Sequence, residues 1–204
     1  YGASPNDLGP LSRAGSIIQI SIPSTTDKGV SFALNNCTFS EIFGNNSGTI
    51  SVLDSSKTTL STVKITNSNF TNLSAPFGAA VYVASHIKRD IEYVRIINCL
   101  FQNNTALYFA GSVFLYQVNY AISSSIFLIN QATFAGGALW LFNSQNDTRT
   151  SGNNLFEKNT VTRGFGNDIA TGPTSVLVAL NEKDKQAGGL QTYNDVNNIL
   201  TIAN

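Results

Sequence analysis

The sequence predicts an all-β chain folded as a single-stranded, right-handed parallel β-helix, a solenoid of about five to six coils. Three observations support this prediction. A phenylalanine recurs at steps of 31, 31, 26 and 29 residues, a glycine follows each one by eight to ten residues, and a short β-branched or aromatic run follows most of those glycines. Because a repeat of about 30 residues cannot bury an apolar face alone, successive repeats must stack.

The recurring phenylalanines are the first element of the repeat. In stacked coils, equivalent positions form columns with a spacing of about 4.8 Å, so these rings are expected to stack in the core. The asparagine three residues before most of them is expected to form a second inward column, with its amides bonded in a ladder at a turn. The predicted core stack is Phe39, Phe70, Phe101, Phe127 and Phe156.

The recurring glycines are the second element, and they mark corners that leave no room for a Cβ. They are Gly48, Gly78, Gly111, Gly136 and Gly166. Strand-like runs follow at 50–53, 80–83, 113–115 and 139–141, with a weaker run at 168–170. A β-sandwich with chance spacing is the alternative fold, and the joint recurrence of two anchors argues against it.

Two motifs in these repeats resemble those of the polymorphic outer membrane protein repeats. Phe101, Phe127 and Phe156 each precede an asparagine by three residues, which matches the FxxN element, and 136–139 read Gly-Gly-Ala-Leu, which matches the GGA-hydrophobic element. Ile42 and Leu73 replace the asparagine in the first two repeats, and the corner at 78–80 reads Gly-Ala-Ala. The resemblance covers roughly residues 30–170 and implies a pectin-lyase-like β-helix on a surface protein. That family is defined by architecture, so no activity follows from it.

The composition restricts the classes of partner. Charged residues make up only 12% of the chain, and twelve basic residues balance twelve acidic ones, so neither nucleic acid nor an anionic membrane is an expected partner. No apolar run approaches the length of a membrane span. The chain opens at Tyr1 and contains no methionine, which predicts a mature end left by leader removal or a fragment of a longer protein.

Six Asn-x-Ser/Thr sequons predict a secreted, N-glycosylated protein at the cell surface. Covalent glycans would keep a charge-poor surface soluble. Four sequons lie in or beside predicted turns, at Asn45, Asn72, Asn103 and Asn146. Asn36 and Asn69 lie beside the phenylalanine column, where an inward side chain would block glycosylation, and Asn36 is equally well interpreted as a ladder asparagine.

The two cysteines are predicted to be buried free thiols. Cys37 and Cys99 each stand two residues before a column phenylalanine, with Ser68 at the same position in the coil between them. Two coils separate the cysteines by about 9–10 Å, whereas a disulfide requires Cα atoms within about 7 Å.

No catalytic residue, cofactor or metal site is predicted, and the chain is not expected to be an enzyme. Glycoside hydrolysis requires paired carboxylates about 5–9.5 Å apart, and the acidic residues here share no repeat position. Asp90 and Glu92 form the nearest pair, in a stretch with Lys88 and Arg89 that is typical of a solvated loop. His86 is the only histidine and has no second ligand at metal-binding spacing. The acids considered are Asp54, Asp90, Glu92, Asp147, Glu157 and Asp168.

The domain organisation predicted is an N-terminal arm (1–15), the β-helix (16–180) and a C-terminal tail (181–204) with a short terminal strand. The first and last strands of the β-helix are expected at 16–22 and 174–180. No amphipathic helix is available to cover either end. Either the arm and tail fold back over the ends, or the ends stack on neighbouring copies. In the second case the tail adds a strand to the next molecule, with Ile199, Leu200 and Ile202 as candidate contacts.

A head-to-tail contact that does not close produces a filament. The leading hypothesis is therefore a structural subunit of an extracellular, N-glycosylated filament or surface sheath, whose partners are copies of itself. The alternative is an adhesin or ligand-binding domain of a larger surface protein, and a carbohydrate-active enzyme ranks third.

Overall fold

The computed structural model describes residues 16–23, 30–45, 47–55, 62–85, 92–142, 153–172, 190–191 and 201–202. The regular elements in these ranges are β-strands, and the strands from 18 to 172 pair in parallel. The chain divides into two compact units, one ending at Thr171 and the other beginning at Gly172. The prediction of an all-β parallel solenoid is confirmed, whereas its handedness and coil number stay predictions.

The strands of the first unit form four parallel sheets, because each coil returns to the same wall after about 30 residues. Sheet A contains β1 (Ile18–Ile22), β4 (Ile50–Asp54), β8 (Val81–Ser85), β12 (Val113–Tyr116), β16 (Leu139–Phe142) and β19 (Ile169–Gly172). Sheet B contains β2 (Ser31–Asn35), β5 (Thr62–Thr66), β9 (Glu92–Ile97) and β13 (Asn119–Ser123). Sheet C contains β3 (Thr38–Ser40), β6 (Asn69–Thr71), β10 (Leu100–Gln102), β14 (Ile126–Leu128) and β17 (Leu155–Glu157). Sheet D contains β7 (Ser74–Phe77), β11 (Thr105–Phe109), β15 (Gln131–Ala132) and β18 (Thr160–Val161).

The phenylalanine column runs along sheet C as one file of near-parallel rings. Phe101 lies between Phe70 and Phe127, with ring centroids 5.0 and 4.7 Å away and interplanar angles of 5° and 4°. Phe39 and Phe156 extend the file at its two ends, at 5.2 and 4.9 Å from their neighbours. The three central rings have no exposed surface. Equivalent residues of successive coils therefore lie directly over each other.

Sheets A and B supply the other walls of the core through alternate residues. In β12, Val113 and Leu115 are fully buried, while Phe114 and Tyr116 lie on the opposite face. β-Branched side chains pack well on such pleated surfaces, and burying each Val, Leu or Ile contributes about 1.5–3 kcal/mol. The inward positions of sheet B follow the same pattern with Val63, Ile65, Val94, Ile96, Tyr120 and Ile122.

Sheet C is bounded by two corners at which non-glycine residues adopt left-handed backbone conformations. These residues have φ between 50° and 57°, a region in which asparagine is strongly enriched among non-glycine residues. The corner before sheet C is formed by Asn36, Asn67, Asn98, Ser124 and Asn153. The corner after it is formed by Glu41, Asn72, Asn103, Ile129 and Lys158.

The predicted asparagine ladder exists, but it lies on the outside of the solenoid. Asn67 and Asn98 are exposed, and Asn98 Nδ2 donates to Asn67 Oδ1 at 2.7 Å. Asn67 Nδ2 then donates to Asn35 Oδ1 at 2.9 Å, so the ladder continues to the residue before Asn36. The left-handed corner turns these side chains outward, which makes the inward placement of this column wrong.

The buried asparagine column consists instead of the FxxN asparagines Asn104, Asn130 and Asn159. Asn130 Nδ2 donates to the carbonyl oxygen of Phe101 at 3.0 Å, and Asn130 Oδ1 accepts the backbone N–H of Asn104 at 3.1 Å. Asn159 Oδ1 accepts the backbone N–H of Asn130 at 2.9 Å. Each amide thus links two coils and satisfies corner backbone groups that water cannot reach.

The recurring glycines occupy two adjacent columns rather than the single one predicted. Gly78, Gly136 and Gly166 have left-handed φ values of 49°, 67° and 73°. Register places Gly111 beside Gly137, one residue further along than these corners, and Gly48 is offset in the same way. A Cβ on Gly111 would collide with the carbonyl oxygen of Gly137, so this column is required for the close approach of successive coils.

The second unit contains β20 (Leu190–Gln191) and β21 (Thr201–Ile202), which pair antiparallel. The predicted last strand of the β-helix, at 174–180, lies outside the described residues, as do the predicted arm and the predicted boundary at 180.

The phenylalanine file predicts a large cost for removing one central ring. We expect Phe101→Ala to lower the free energy of unfolding by about 3–5 kcal/mol, because a cavity opens between two stacked neighbours. Phe43, which is 69% exposed, provides the matched control, and Phe43→Ala should change stability by about 0.5 kcal/mol or less. Urea denaturation followed by circular dichroism measures both, and equal effects would contradict the buried file.

The FxxN column predicts that removing one of its buried polar side chains also lowers the free energy of unfolding. We expect Asn130→Ala to destabilise the fold by about 2–4 kcal/mol, because buried backbone groups of Phe101 and Asn104 lose their partner. The neighbouring exposed residue serves as control, with Gln131→Ala changing stability by about 0.5 kcal/mol or less. An Asn130→Ala protein as stable as the wild type in thermal and urea melts would refute this role.

Candidate assembly ends and aromatic surface

The two outermost strands of sheet C form the first candidate functional feature. Phe39 in β3 and Phe156 in β17 are half-buried, whereas the rings between them are fully buried. Each end ring stacks on one column phenylalanine only. In the described chain, β3 and β17 also pair along one edge each. Unpaired strand edges are templates for adding a further strand.

Outward-facing aromatic residues on sheet A form the second feature. Phe114 stacks on Tyr82 with centroids 4.9 Å apart, and Phe142 stacks on Tyr116 at 5.1 Å with an interplanar angle of 1°. Trp140 lies 6.3 Å from Phe142. Register aligns these residues in two outward columns because they alternate with the buried residues of each strand.

The aromatic surface continues around the corner onto the sheet D side. Tyr108 and Phe134 stack at 6.2 Å with an interplanar angle of 3°. Phe109 lies 5.2 Å from Trp140, and Phe165 contacts Trp140 edge-on at 6.1 Å. Tyr108, Phe134 and Phe165 are 39%, 40% and 59% exposed, so the patch is open to a partner. Exposed apolar patches of this kind mark interaction sites.

A step borders the aromatic surface on sheet A. Register places Tyr116 beside Ala84, which is followed by Leu53 in the next coil, and it places Tyr82 beside Ser51. The columns therefore change from rings to small side chains within one coil. Two cavities of about 200 and 300 Å³ lie at this step and share Leu53 and Tyr82 in their lining.

The described residues at the step carry phenolic hydroxyls and no charged side chain. Burial raises the pKa of Tyr82, and the nearby Tyr116 raises it further, so Tyr82 stays neutral at physiological pH. The described residues that line the two cavities contain no ionisable group other than these tyrosines. The cavities are lined by Ser16, Gln19, Ser47, Ser51, Leu53, Phe77, Tyr82, Ala84, Ser85 and Tyr116.

Sequence analysis identified the strands that carry this surface but not the surface itself. Aromatic residues alternate along two of the predicted runs and the residue that follows each, at Phe114 and Tyr116 and again at Trp140 and Phe142. Such alternation is the available signal, because alternate residues of a strand share one face. From the sequence alone, these runs predict β-strands and no aromatic surface.

The described sequon asparagines all lie on the surface. Asn36, Asn45, Asn69, Asn72 and Asn103 are exposed, so burial blocks none of them, while Asn146 lies outside the described residues. Two of them stack in adjacent coils, where Asn103 Nδ2 donates to Asn72 Oδ1 at 2.8 Å.

Both cysteines are free, and they occupy the predicted column with Ser68 between them. Cys99 is buried and donates to the carbonyl oxygen of Ile97 at 3.3 Å, and desolvation raises the pKa of its thiol. Cys37 is only half-buried, so its predicted full burial is wrong. The reason is its place in the outermost coil, beside the half-buried Phe39.

The described acidic residues do not converge. Asp54 is fully buried in β4, Glu157 pairs with Lys158 at 3.3 Å on the surface, and Asp168 accepts from Asn159 Nδ2 at 3.0 Å. Among the described residues, no group of three metal-ligating side chains is found. His86, Lys88, Arg89, Asp90 and Asp147 lie outside the described residues, and the side chain of Glu92 does too.

The proposed assembly contacts in the tail are described only in part. Ile199 and Leu200 lie outside the described residues, and Ile202 pairs with Leu190 in the antiparallel pair of its own unit. No helix among the described residues has the length and apolarity needed to cross a membrane.

No protein-family model, curated protein or solved structure matches the chain. The resemblance to the polymorphic outer membrane protein repeats therefore rests on the FxxN and GGA-hydrophobic motifs alone.

The burial difference between the thiols predicts unequal reactivity. In native buffer at pH 8, we expect Ellman's reagent to modify Cys37 within minutes and Cys99 only after denaturant is added, because Cys99 is buried with a raised pKa. The single variants Cys37→Ser and Cys99→Ser assign each phase. Equal rates in the native protein would show that the two thiols share one environment.

Proposed function

We propose that the chain is a structural subunit of an extracellular, N-glycosylated filament or surface sheath, in which solenoids stack head to tail. The proposal rests on the two end rings of the phenylalanine file. Phe39 and Phe156 are equivalent members of one column, so Phe156 of one copy and Phe39 of the next can continue the stack at the same spacing. Such a contact is heterologous and does not close, which produces a fibre.

The energetics favour the end contact over free ends. Each added aromatic pair contributes about 0.5–1.5 kcal/mol beyond the apolar area that it buries. Pairing of β17 with the β3 of another copy would also satisfy backbone groups along both strands. The low charge of the chain, 12%, leaves little electrostatic repulsion between copies.

The sequons support an extracellular location for this assembly. Asn36, Asn45, Asn69, Asn72 and Asn103 are exposed on the walls of the solenoid, so glycans there would project sideways from the fibre axis. Sugar on the walls would keep neighbouring fibres apart and leave the ends available for stacking. The expected partners are copies of the chain and covalent glycans, and catalysis has no part in the proposal.

End stacking predicts that one charge at either end stops fibre growth. Negative-stain microscopy of the wild type should show filaments, and Phe39→Arg and Phe156→Arg should each give short species. Mixed one to one, the two variants should form dimers, because each retains the end that the other needs. Size-exclusion chromatography with light scattering measures these masses.

Leu155→Arg is the matched control, since Leu155 is 49% exposed on the outer face of the same strand as Phe156. It should leave filaments intact, and circular dichroism should show that all variants fold. Wild-type monomers at high concentration, or loss of filaments with Leu155→Arg, would refute end stacking. Intact mass before and after deglycosylation tests the sugar component separately.

The aromatic surface favours a second candidate function, that of an adhesin or ligand-binding domain of a larger surface protein. Exposed rings at Tyr108, Phe134 and Phe165 are not required by end stacking. A reading frame that continues into more repeats or a membrane anchor would support this candidate, and a reading frame that contains this chain alone would count against it.

A further inference from the structure

We propose that the step on sheet A binds a neutral polysaccharide built from flat, equatorially substituted hexopyranoses, such as a β-1,4-glucan. The proposal gives a ligand class to the second candidate function, on which it rests, and it does not depend on end stacking. Its basis is the step at which two outward columns change from stacked rings to the smaller side chains of Ala84, Leu53 and Ser51.

The register of β8, β12 and β16 leaves one face of the Tyr116 ring free. Phe142 and Tyr116 stack with centroids 5.1 Å apart, and the next position in this column is Ala84. A layer spacing of about 4.8 Å leaves the face of Tyr116 that points away from Phe142 without a ring beside it. Leu53 follows Ala84 and forms the opposite side of a cavity of about 200 Å³.

A second platform lies beside the first. Phe114 stacks on one face of Tyr82 at 4.9 Å, and Ser51 stands beside the other face. The cavity of about 300 Å³ at this face is lined by Tyr82, Phe77 and the polar side chains of Gln19 and Ser16. The two cavities share Leu53 and Tyr82 in their lining, so they lie side by side next to the aromatic surface, and together they are called the groove.

The chemistry of the groove matches a neutral sugar better than other ligands. Flat hexopyranoses present C–H groups on both faces, which are attracted to the negative face of an aromatic ring. Their equatorial hydroxyls lie at the rim, where Tyr82, Tyr116 and Gln19 offer uncharged donors and acceptors. Among the described residues of the lining, no cation is available to pair with a polyuronate or a phosphate.

Placing a ring over the free face of Tyr116 tests the proposal without removing any side chain that would bind the sugar. We expect Ala84→Phe to cover the free face of Tyr116 and to weaken the binding of cellohexaose at least ten-fold in isothermal titration calorimetry. Tyr116→Ala should weaken it to a similar extent, whereas Tyr116→Phe keeps the platform and should lose less than about five-fold. Ala33→Phe, the same change at an exposed position of sheet B, is the matched control and should bind as the wild type does.

The titrations use the Phe39→Arg background, so that binding is measured on a chain that does not polymerise. Trigalacturonate and maltohexaose serve as an acidic and a helical comparison, and both should bind more weakly than cellohexaose. Undetectable binding of cellohexaose at millimolar concentration, equal affinity in Ala84→Phe, or preference for trigalacturonate would each overturn the proposal. Filaments of the wild type in the same preparation would show that end stacking stands even if sugar binding fails.

Discussion

The fold depends on the in-register parallel pairing of successive coils at a spacing of about 4.8 Å. With this pairing, whatever side chain one coil places at a position meets its equivalent in the next coil. Favourable self-contacts are therefore repeated along the axis, as in the ring file from Phe39 to Phe156 and the buried amides of Asn104, Asn130 and Asn159. An unfavourable self-contact would be repeated in the same way.

The parts of the fold predicted from sequence are those in which a residue and its role recur together. The phenylalanine steps identified sheet C, and the apolar runs identified the strands of sheet A, including Val113–Tyr116. The orientation of the asparagine columns was harder to predict, because two asparagines in one coil have opposite orientations. Asn98 turns outward at a left-handed corner with φ of 54°, whereas Asn104 turns inward to bond backbone groups. Backbone dihedrals decide this, and spacing alone does not reveal them.

The candidate surfaces were predicted unevenly for a related reason. The ends of the solenoid follow from the repeat itself, since any stack of coils has a first and a last member. The groove on sheet A depends on two small residues, Ala84 beside Tyr116 and Ser51 beside Tyr82, and only the register shows that the columns of rings end there. Sequence periodicity identifies residues that repeat, so it does not identify the coil at which a column of rings ends.

The left-handed corners also bear on how a surface of this kind would acquire the proposed sugars. Asn36, Asn72 and Asn103 each combine a sequon with a positive φ, at 56°, 56° and 54°. The corner favours asparagine for conformational reasons and keeps it in solvent. Once asparagine is present, a serine or threonine two residues later is enough to create an acceptor for the glycosylation machinery. In a solenoid with such corners, a sugar coat can be gained or moved by single substitutions without disturbing the packed interior.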